Sequence, residues 1–362
     1  MIGNLIFNLI LFLIIKFKDE RKENNYMKAI ILREAGSLNQ LKLEDVEAPK
    51  AGSNEVVVRL KATALNRRDL MIVQGRYPGM KLPSILGSDG AGEIVEVGSE
   101  IGDISIGDEV IINPGLNWGS DTNKKREDFT ILGNPIDGTF AQYVKVPAEN
   151  VYAKPSHLSW EEAAALPLSG LTAYRALVTK GNVKEAETVL IPGAGGGVAT
   201  YLVQFAAALG AKVYVTSSKE EKIEKAKGFG AVGGVNYTSD HWSEELGKLT
   251  GGIDLSIDSI GGEVFKTVVS LGKIGSRIVS FGATRGPVPN FLLPSMTLKE
   301  MSVVGSTMGS PQDFVEMVNL VEKHEIHPIL DRIYSMEEIT NALFRMENGE
   351  NLGKIVLTIP QN

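Results

Sequence analysis

The 362-residue chain contains no cysteine. Disulfides, thiolate metal sites and a cysteine nucleophile are excluded together, and a reducing compartment such as the cytoplasm is compatible. Histidine is scarce, at four residues. Two of these, His324 and His327, have H-x-x-H spacing, but the sequence suggests no acidic or cysteine partner for them. Histidines at a helix C-terminus, interacting with its dipole, account for that spacing. Positive charge is in deficit, with 37 Lys and Arg against 44 Asp and Glu and a net charge of −7. Neither nucleic acid nor an anionic membrane surface is therefore the expected partner. Internal repeats and low-complexity tracts are absent. The one long apolar run, residues 2–15, falls short of the roughly 20 residues a spanning helix needs. It also lacks the basic start and small-residue cleavage site of a signal peptide. The first credible strand starts at Met27, and Lys22-Glu23 can be encoded by AAGGAG, a ribosome-binding sequence, just upstream. Residues 1–26 thus read as a translated upstream extension.

The length suggests two domains, and a hydrophobic share of 43% with 22% charged residues is ordinary for a globular protein. From Met27 to Val151 short apolar or alternating runs (28–32, 55–62, 92–97, 109–113, 140–146) are separated by Gly, Pro and Asn turns. That pattern predicts a small barrel-like β domain. It includes a short helix over 68–74 and an exposed polar loop over 117–134. After Pro155 the character changes. Ser159 and Glu162 form a capping box signature, and a further helix is predicted over 172–180. Strands at 188–192, 212–216, 232–236, 253–258, 276–281 and 301–306 then alternate with helices, which predicts a doubly wound parallel sheet in an α/β protein. The tail (helix 311–323, strand 329–334, helix 336–348, strand 354–358) reads as a return to the first domain.

The strand Val189–Pro192 stops at Gly193-Ala194-Gly195-Gly196-Gly197-Val198-Ala199, and an apolar helix pattern follows. Strand, glycine turn and helix together form the first unit of a dinucleotide-binding βαβ. The helix N-terminus offers unpaired N–H groups to a pyrophosphate. A strict G-x-G-x-x-G is not met, because Val198 holds the sixth position; Gly193-x-x-Gly196-x-x-Ala199 fits instead. A tight loop without a ligand is the alternative. The second strand ends Tyr214-Val215-Thr216-Ser217-Ser218-Lys219. It has no acid at its tip for the ribose hydroxyls of NAD. Hydroxyls and lysines there suit a 2′-phosphate, so NADPH is the expected cofactor. Ser218 and Glu221 read as a capping box for the next helix.

Further motifs are Leu86-Gly87-Ser88-Asp89-Gly90-Ala91-Gly92, Gly98 with Gly107-Asp108-Glu109-Val110, Gly138-Thr139-Phe140-Ala141-Gln142-Tyr143 and Leu168-Ser169-Gly170-Leu171-Thr172-Ala173-Tyr174. With the glycine turn, they make the chain after Met27 resemble the medium-chain dehydrogenases/reductases, in the zinc-less branch of the quinone oxidoreductases. The resemblance implies a GroES-like catalytic domain (27–151 and 326–362) around a Rossmann domain (152–325), in a homodimer. It places Asn66, Ser88 and Leu168 where zinc-dependent members carry ligands, and residues 115–134 where they carry a four-cysteine lobe. It also implies that Asn66 orients nicotinamide or substrate and that Tyr77 lines the pocket. Met71 stands in place of a second family tyrosine. Gly193, Gly195, Gly196, Gly197 and Val198 would hold the pyrophosphate. Ser217, Ser218, Lys222 and Tyr237 would hold the 2′-phosphate, and Thr172, Phe281 and Gly282 would border the nicotinamide. The ordinary alternatives are a turn residue for Asn66, a core aromatic for Tyr77 and an exposed helix charge for Lys222. The implied activity is hydride transfer from NADPH to a quinone or α,β-unsaturated carbonyl. Reduction of simple carbonyls or alcohols, or NADPH binding without catalysis, are the rival readings.

Overall fold

A computed structural model describes residues 26–361. Residues 1–25 of the inferred upstream extension lie outside them; Tyr26, its last residue, already pairs with Glu47 in the first strand. The N-terminal part comprises β1 (Tyr26–Leu32), β2 (Leu41–Glu47), β3 (Glu55–Ala64), β4 (Ser84–Ile85), β5 (Asp89–Val97), β6 (Glu109–Ile112), β7 (Gly115–Leu116), β8 (Thr130–Ile131), β9 (Tyr143–Pro147) and β10 (Val151–Ala153). On β3, Val56, Val58, Leu60, Ala62 and Ala64 are fully buried on one face at the period of two that a strand imposes. β3 pairs antiparallel with β5 and β9, forming the centre of the sheet. β2 carries too many acids (Glu44, Asp45, Glu47) to read as a strand from the sequence. It is held as the partner of β1 by backbone pairing and by Lys28–Asp45 and Arg33–Glu44 ion pairs.

The second part contains β11 (Thr188–Pro192), β12 (Lys212–Ser217), β13 (Ala231–Asn236), β14 (Ile253–Asp258), β15 (Gly272–Ser280) and β16 (Ser302–Gly305). They form a six-stranded parallel sheet in the order β13-β12-β11-β14-β15-β16. This is the doubly wound dinucleotide-binding order, in which ligands bind at the carboxyl ends of the strands. The chain then returns: β17 (Leu330–Ser335) and β18 (Lys354–Thr358) pair with each other, and β18 pairs with β3. β18 therefore completes the first sheet from the far end of the sequence.

The Ser159 capping box is formed, with Glu162 N–H donating to Ser159 Oγ at 3.2 Å and Ser159 N–H to Glu162 Oε2 at 2.9 Å. The expected Ser218 box is not formed. Lys219 stands at the cap of helix Glu220–Gly228, with no side-chain cap bond. The helix predicted over 172–180 begins earlier, at Pro167, whose missing N–H costs nothing in the first turn. It ends at Tyr174 and continues as a π-helical turn, Arg175–Lys180. His324 caps the C-terminus of helix Pro311–Lys323. His327, by contrast, has an acidic partner that the sequence did not suggest: its Nδ1 lies 2.8 Å from Glu162 Oε1. Among the described residues no helix is long and apolar enough to cross a membrane.

Candidate active site at the junction of the two sheets

Asn66 precedes helix Arg67–Val73, directly after β3, and caps it: its N–H donates to Asp69 Oδ2 at 2.7 Å. Asp89 opens β5, Lys354 opens β18, and Leu168 and Ser169 lie in the first turn of helix Pro167–Tyr174. These residues converge in a dry cluster, with Asn66 5%, Asp89 0%, Lys354 2% and Ser169 2% exposed. Lys354 Nζ donates to Asp89 Oδ2, Asn66 Oδ1 and the Leu65 carbonyl, each at 2.8 Å. Asp89 Oδ2 also accepts from Asn66 Nδ2 at 2.9 Å, and Asp89 Oδ1 accepts from the Leu168 N–H at 2.7 Å. All three ammonium protons and both carboxylate oxygens are bonded, which allows a buried ion pair to persist. The Lys354 stem runs against the glycine turn; a Cβ on Gly197 would stand 2.7 Å from Lys354 Cδ.

Ser88, at the second expected ligand position, is fully buried and bonded to the Leu132 carbonyl. It accepts from Arg68 Nη1 at 2.7 Å. The Arg68 guanidinium also donates to the Leu132 and Asn134 carbonyls and lies 4.9 Å over the half-buried Tyr77 ring. Burial pushes the neighbouring Asp69 carboxyl up to about 6, against the pull of Arg68. Asn, Ser and Leu therefore stand at the three positions, each used by internal hydrogen bonds, and the nearby acid is neutralised by Lys354. This donor set does not fit catalytic zinc, which takes three Cys, His or carboxylate ligands. Among the described residues no group of three or more His, Asp or Glu side chains can hold a metal.

The glycine turn has the shape of a phosphate cradle. Gly193 has φ +78°, and the Gly193 and Ala194 N–H groups close the turn on the Thr216 carbonyl. Gly196 caps helix Gly197–Ala208, whose first N–H groups have no acceptor within the helix. A Cβ on Gly196 would meet open space, and Val198 is only half-buried. These features fit a pyrophosphate. At the tip of β12, Ser217 is buried and its Oγ accepts from Lys219 N–H, Ser218 is exposed, and Tyr237 N–H donates to the Ser217 carbonyl. Lys222 reaches this region but is bonded to the carbonyls of Gly349 (3.0 Å) and Asn351 (2.7 Å). Burial lowers its pKa. The segment 349–353 also meets the turn directly, Gly353 N–H donating to the Gly195 carbonyl. Thr172 Oγ1 donates to the Leu168 carbonyl at 2.8 Å, while Phe281 and Gly282 follow the carboxyl end of β15. Arg67 Nη1 donates to the Met346 carbonyl at 3.4 Å.

Sequence reasoning missed Lys354 and Arg68, the two cations that organise this cluster. It also missed Arg175, which holds the cysteine-free lobe. Arg175 is 2% exposed, pairs with Asp313 at 2.5 Å and donates to the Thr122 and Asn123 carbonyls. For Arg175 the only sequence signal was a basic residue inside an otherwise apolar run.

Comparison with known proteins agrees with the fold. Residues 52–156 match the alcohol dehydrogenase GroES-like domain and residues 197–323 the zinc-binding dehydrogenase family. A zinc-type alcohol dehydrogenase-like protein, YogA, of Leptosphaeria maculans is 38% identical over 88% of this chain and 94% of its own. An acryloyl-coenzyme A reductase of Sulfurisphaera tokodaii is 31% identical over 91% of this chain and 99% of its own. The crystal structure of an NAD-dependent alcohol dehydrogenase superposes with a TM-score of 0.88 at 35% identity, covering 92% of this chain and 100% of that one. The chain belongs to the medium-chain dehydrogenase/reductase superfamily, as an oxidoreductase that works with a pyridine nucleotide.

Proposed function

We propose that the protein is a zinc-independent reductase that uses NADPH to reduce quinones or α,β-unsaturated carbonyls. The carrying observation is the junction cluster: Asn66, Ser88 and Leu168 at the ligand positions, with Lys354 paired to Asp89 beside them. Such a site lacks a Lewis acid to stabilise the alkoxide formed from a simple ketone or aldehyde. Electrophiles that spread the negative charge, as a quinolate or an enolate, do not need one. NADPH, when bound, supplies the hydride. The named acryloyl-coenzyme A reductase, whose substrate is an unsaturated thioester, supports the reading.

In this reading the turn Gly193–Val198 holds the pyrophosphate, and Ser217, Ser218, Lys222 and Tyr237 surround the 2′-phosphate. Thr172, Phe281 and Gly282 border the nicotinamide, while Asn66 and Tyr77 face the substrate. Residues 27–151 with 326–362 form the catalytic domain and 152–325 the cofactor domain. The protein acts in the cytoplasm as a homodimer. Support for dimerisation comes from β16, an edge strand with exposed Val303, beside exposed Ile274, Leu292, Leu293 and Leu298. Unpaired edge backbone and clustered apolar surface favour association with a second copy.

NADPH oxidation is to be measured over quinones, enals, enones, aldehydes and ketones, and alcohol oxidation in reverse. Turnover confined to the first three classes supports the reading. Chelator-sensitive oxidation of alcohols overturns it.

A further inference from the structure

The Asn66 amide is held from both ends. Its Oδ1 accepts from the Lys354 ammonium at 2.8 Å and from Ser169 Oγ at 3.4 Å, while its Nδ2 donates to Asp89 Oδ2 at 2.9 Å. A flipped amide would set NH₂ against an ammonium and a carbonyl against a carboxylate, so one orientation alone satisfies the neighbours. The amide carbonyl is consumed by this arrangement. Of the two Nδ2 hydrogens one goes to Asp89, and the other has no protein acceptor among the described residues. The cluster lies where β3, β5 and β18 meet helix Pro167–Tyr174 and the glycine turn, at the carboxyl end of the parallel sheet.

We propose that Lys354 is a positioning residue that, with Asp89, fixes Asn66 as a hydrogen-bond donor to the carbonyl oxygen of the substrate. The inference rests on the reading of this junction as the reductase site. Donation from an ammonium into Oδ1 draws electron density from the amide nitrogen and strengthens the remaining N–H as a donor. Hydride addition to the β-carbon places two electrons in an enolate whose oxygen carries the charge, and water protonates the α-carbon. A fixed, dry donor aimed at that oxygen matters most in the transition state. Lys354 is thus remote from the reacting atoms and acts through Asn66.

The test uses the Lys354→Met/Asp89→Asn double variant, which removes both buried charges together and leaves neither unpaired. NADPH affinity is read by fluorescence titration, and kcat and KM are read with an enone and a quinone. We expect NADPH binding and KM within about threefold of wild type and kcat lowered about tenfold or more, short of the roughly hundred- to thousandfold cost of deleting an oriented donor because the Asn66 amide is retained. The loss should be larger for the enone, whose charge is concentrated on one oxygen. Lys354→Met alone, with Asp89 left unpaired, should fare worse than the double variant. A folded double variant with wild-type kcat on the enone overturns the proposal. If that variant does not fold, Asn66→Asp, which keeps the shape and removes the donor, decides: wild-type kcat there overturns it equally. Inactivity of the wild-type protein on every electrophile would instead refute the reductase reading itself.

Discussion

Arg175 and Asp313 meet at 2.5 Å in an ion pair with almost no solvent access, and the same guanidinium reaches the carbonyls of Thr122 and Asn123 in the lobe. Trp118 of the lobe lies 4.7 Å from it, ring facing cation. One side chain of the cofactor-binding part therefore ties down the segment that lacks cysteine.

Removing one partner of such a pair leaves the other charge buried. Arg175→Met should lower stability by about 3–5 kcal/mol, measured by urea unfolding. It should also expose the Lys124-Lys125-Arg126 segment to trypsin, which a time course on the folded protein would detect. Unchanged trypsin resistance would show that the lobe is held by other contacts.

Asp69 makes stability depend on pH. Its carboxyl is held at about 6, above the ordinary 3.8, chiefly by burial. The folded state therefore binds this proton more tightly than the unfolded state. Its contribution is fully present below the ordinary value and is lost as pH rises through about 6, a difference of roughly 3 kcal/mol. Asp69→Asn keeps an oxygen to accept the Asn66 N–H and removes the titration. Urea unfolding at pH 4.5, 6 and 8 should show the variant gaining stability relative to wild type as pH rises. A constant difference across that range would count against the assignment.

In the proposed reading, cofactor choice turns on Lys222. A charged hydrogen bond contributes roughly 1.5–3 kcal/mol. If Lys222 leaves the Gly349 and Asn351 carbonyls for the 2′-phosphate, Lys222→Ala should weaken NADPH about tenfold or more while hardly affecting NADH. Titration with both cofactors separates this from a role in anchoring segment 349–353, which would weaken them equally.

Metal dependence follows from the donor set at the junction. Chelators should leave turnover unchanged, and elemental analysis of the purified protein should find far less than one zinc per chain. Asn66→Ala should lower turnover by about ten- to a thousandfold through loss of an oriented hydrogen bond. Zinc at one per chain with chelator-sensitive activity would place the chemistry elsewhere.

The parallel sheet was legible because its signals are local. Each strand is a short apolar run, each helix repeats at 3.6 residues, and Gly193–Ala199 must turn tightly between them. The bounds of β11, β14 and β18 and of helix Pro311–Lys323 agree with the pattern residue for residue. The absence of cysteine and the identities of residues 66, 88 and 168 likewise needed only the chain itself. The partners of buried charges were decided by the tertiary structure alone. Asp89 finds Lys354 265 positions away and Arg175 finds Asp313 138 away. A lone Lys or Arg carries no periodic signature of its partner. Only the return of β18 to β3 brings the Lys354 ammonium within bonding distance of Asn66 and Asp89, where the cost of desolvation makes each partner indispensable to the other.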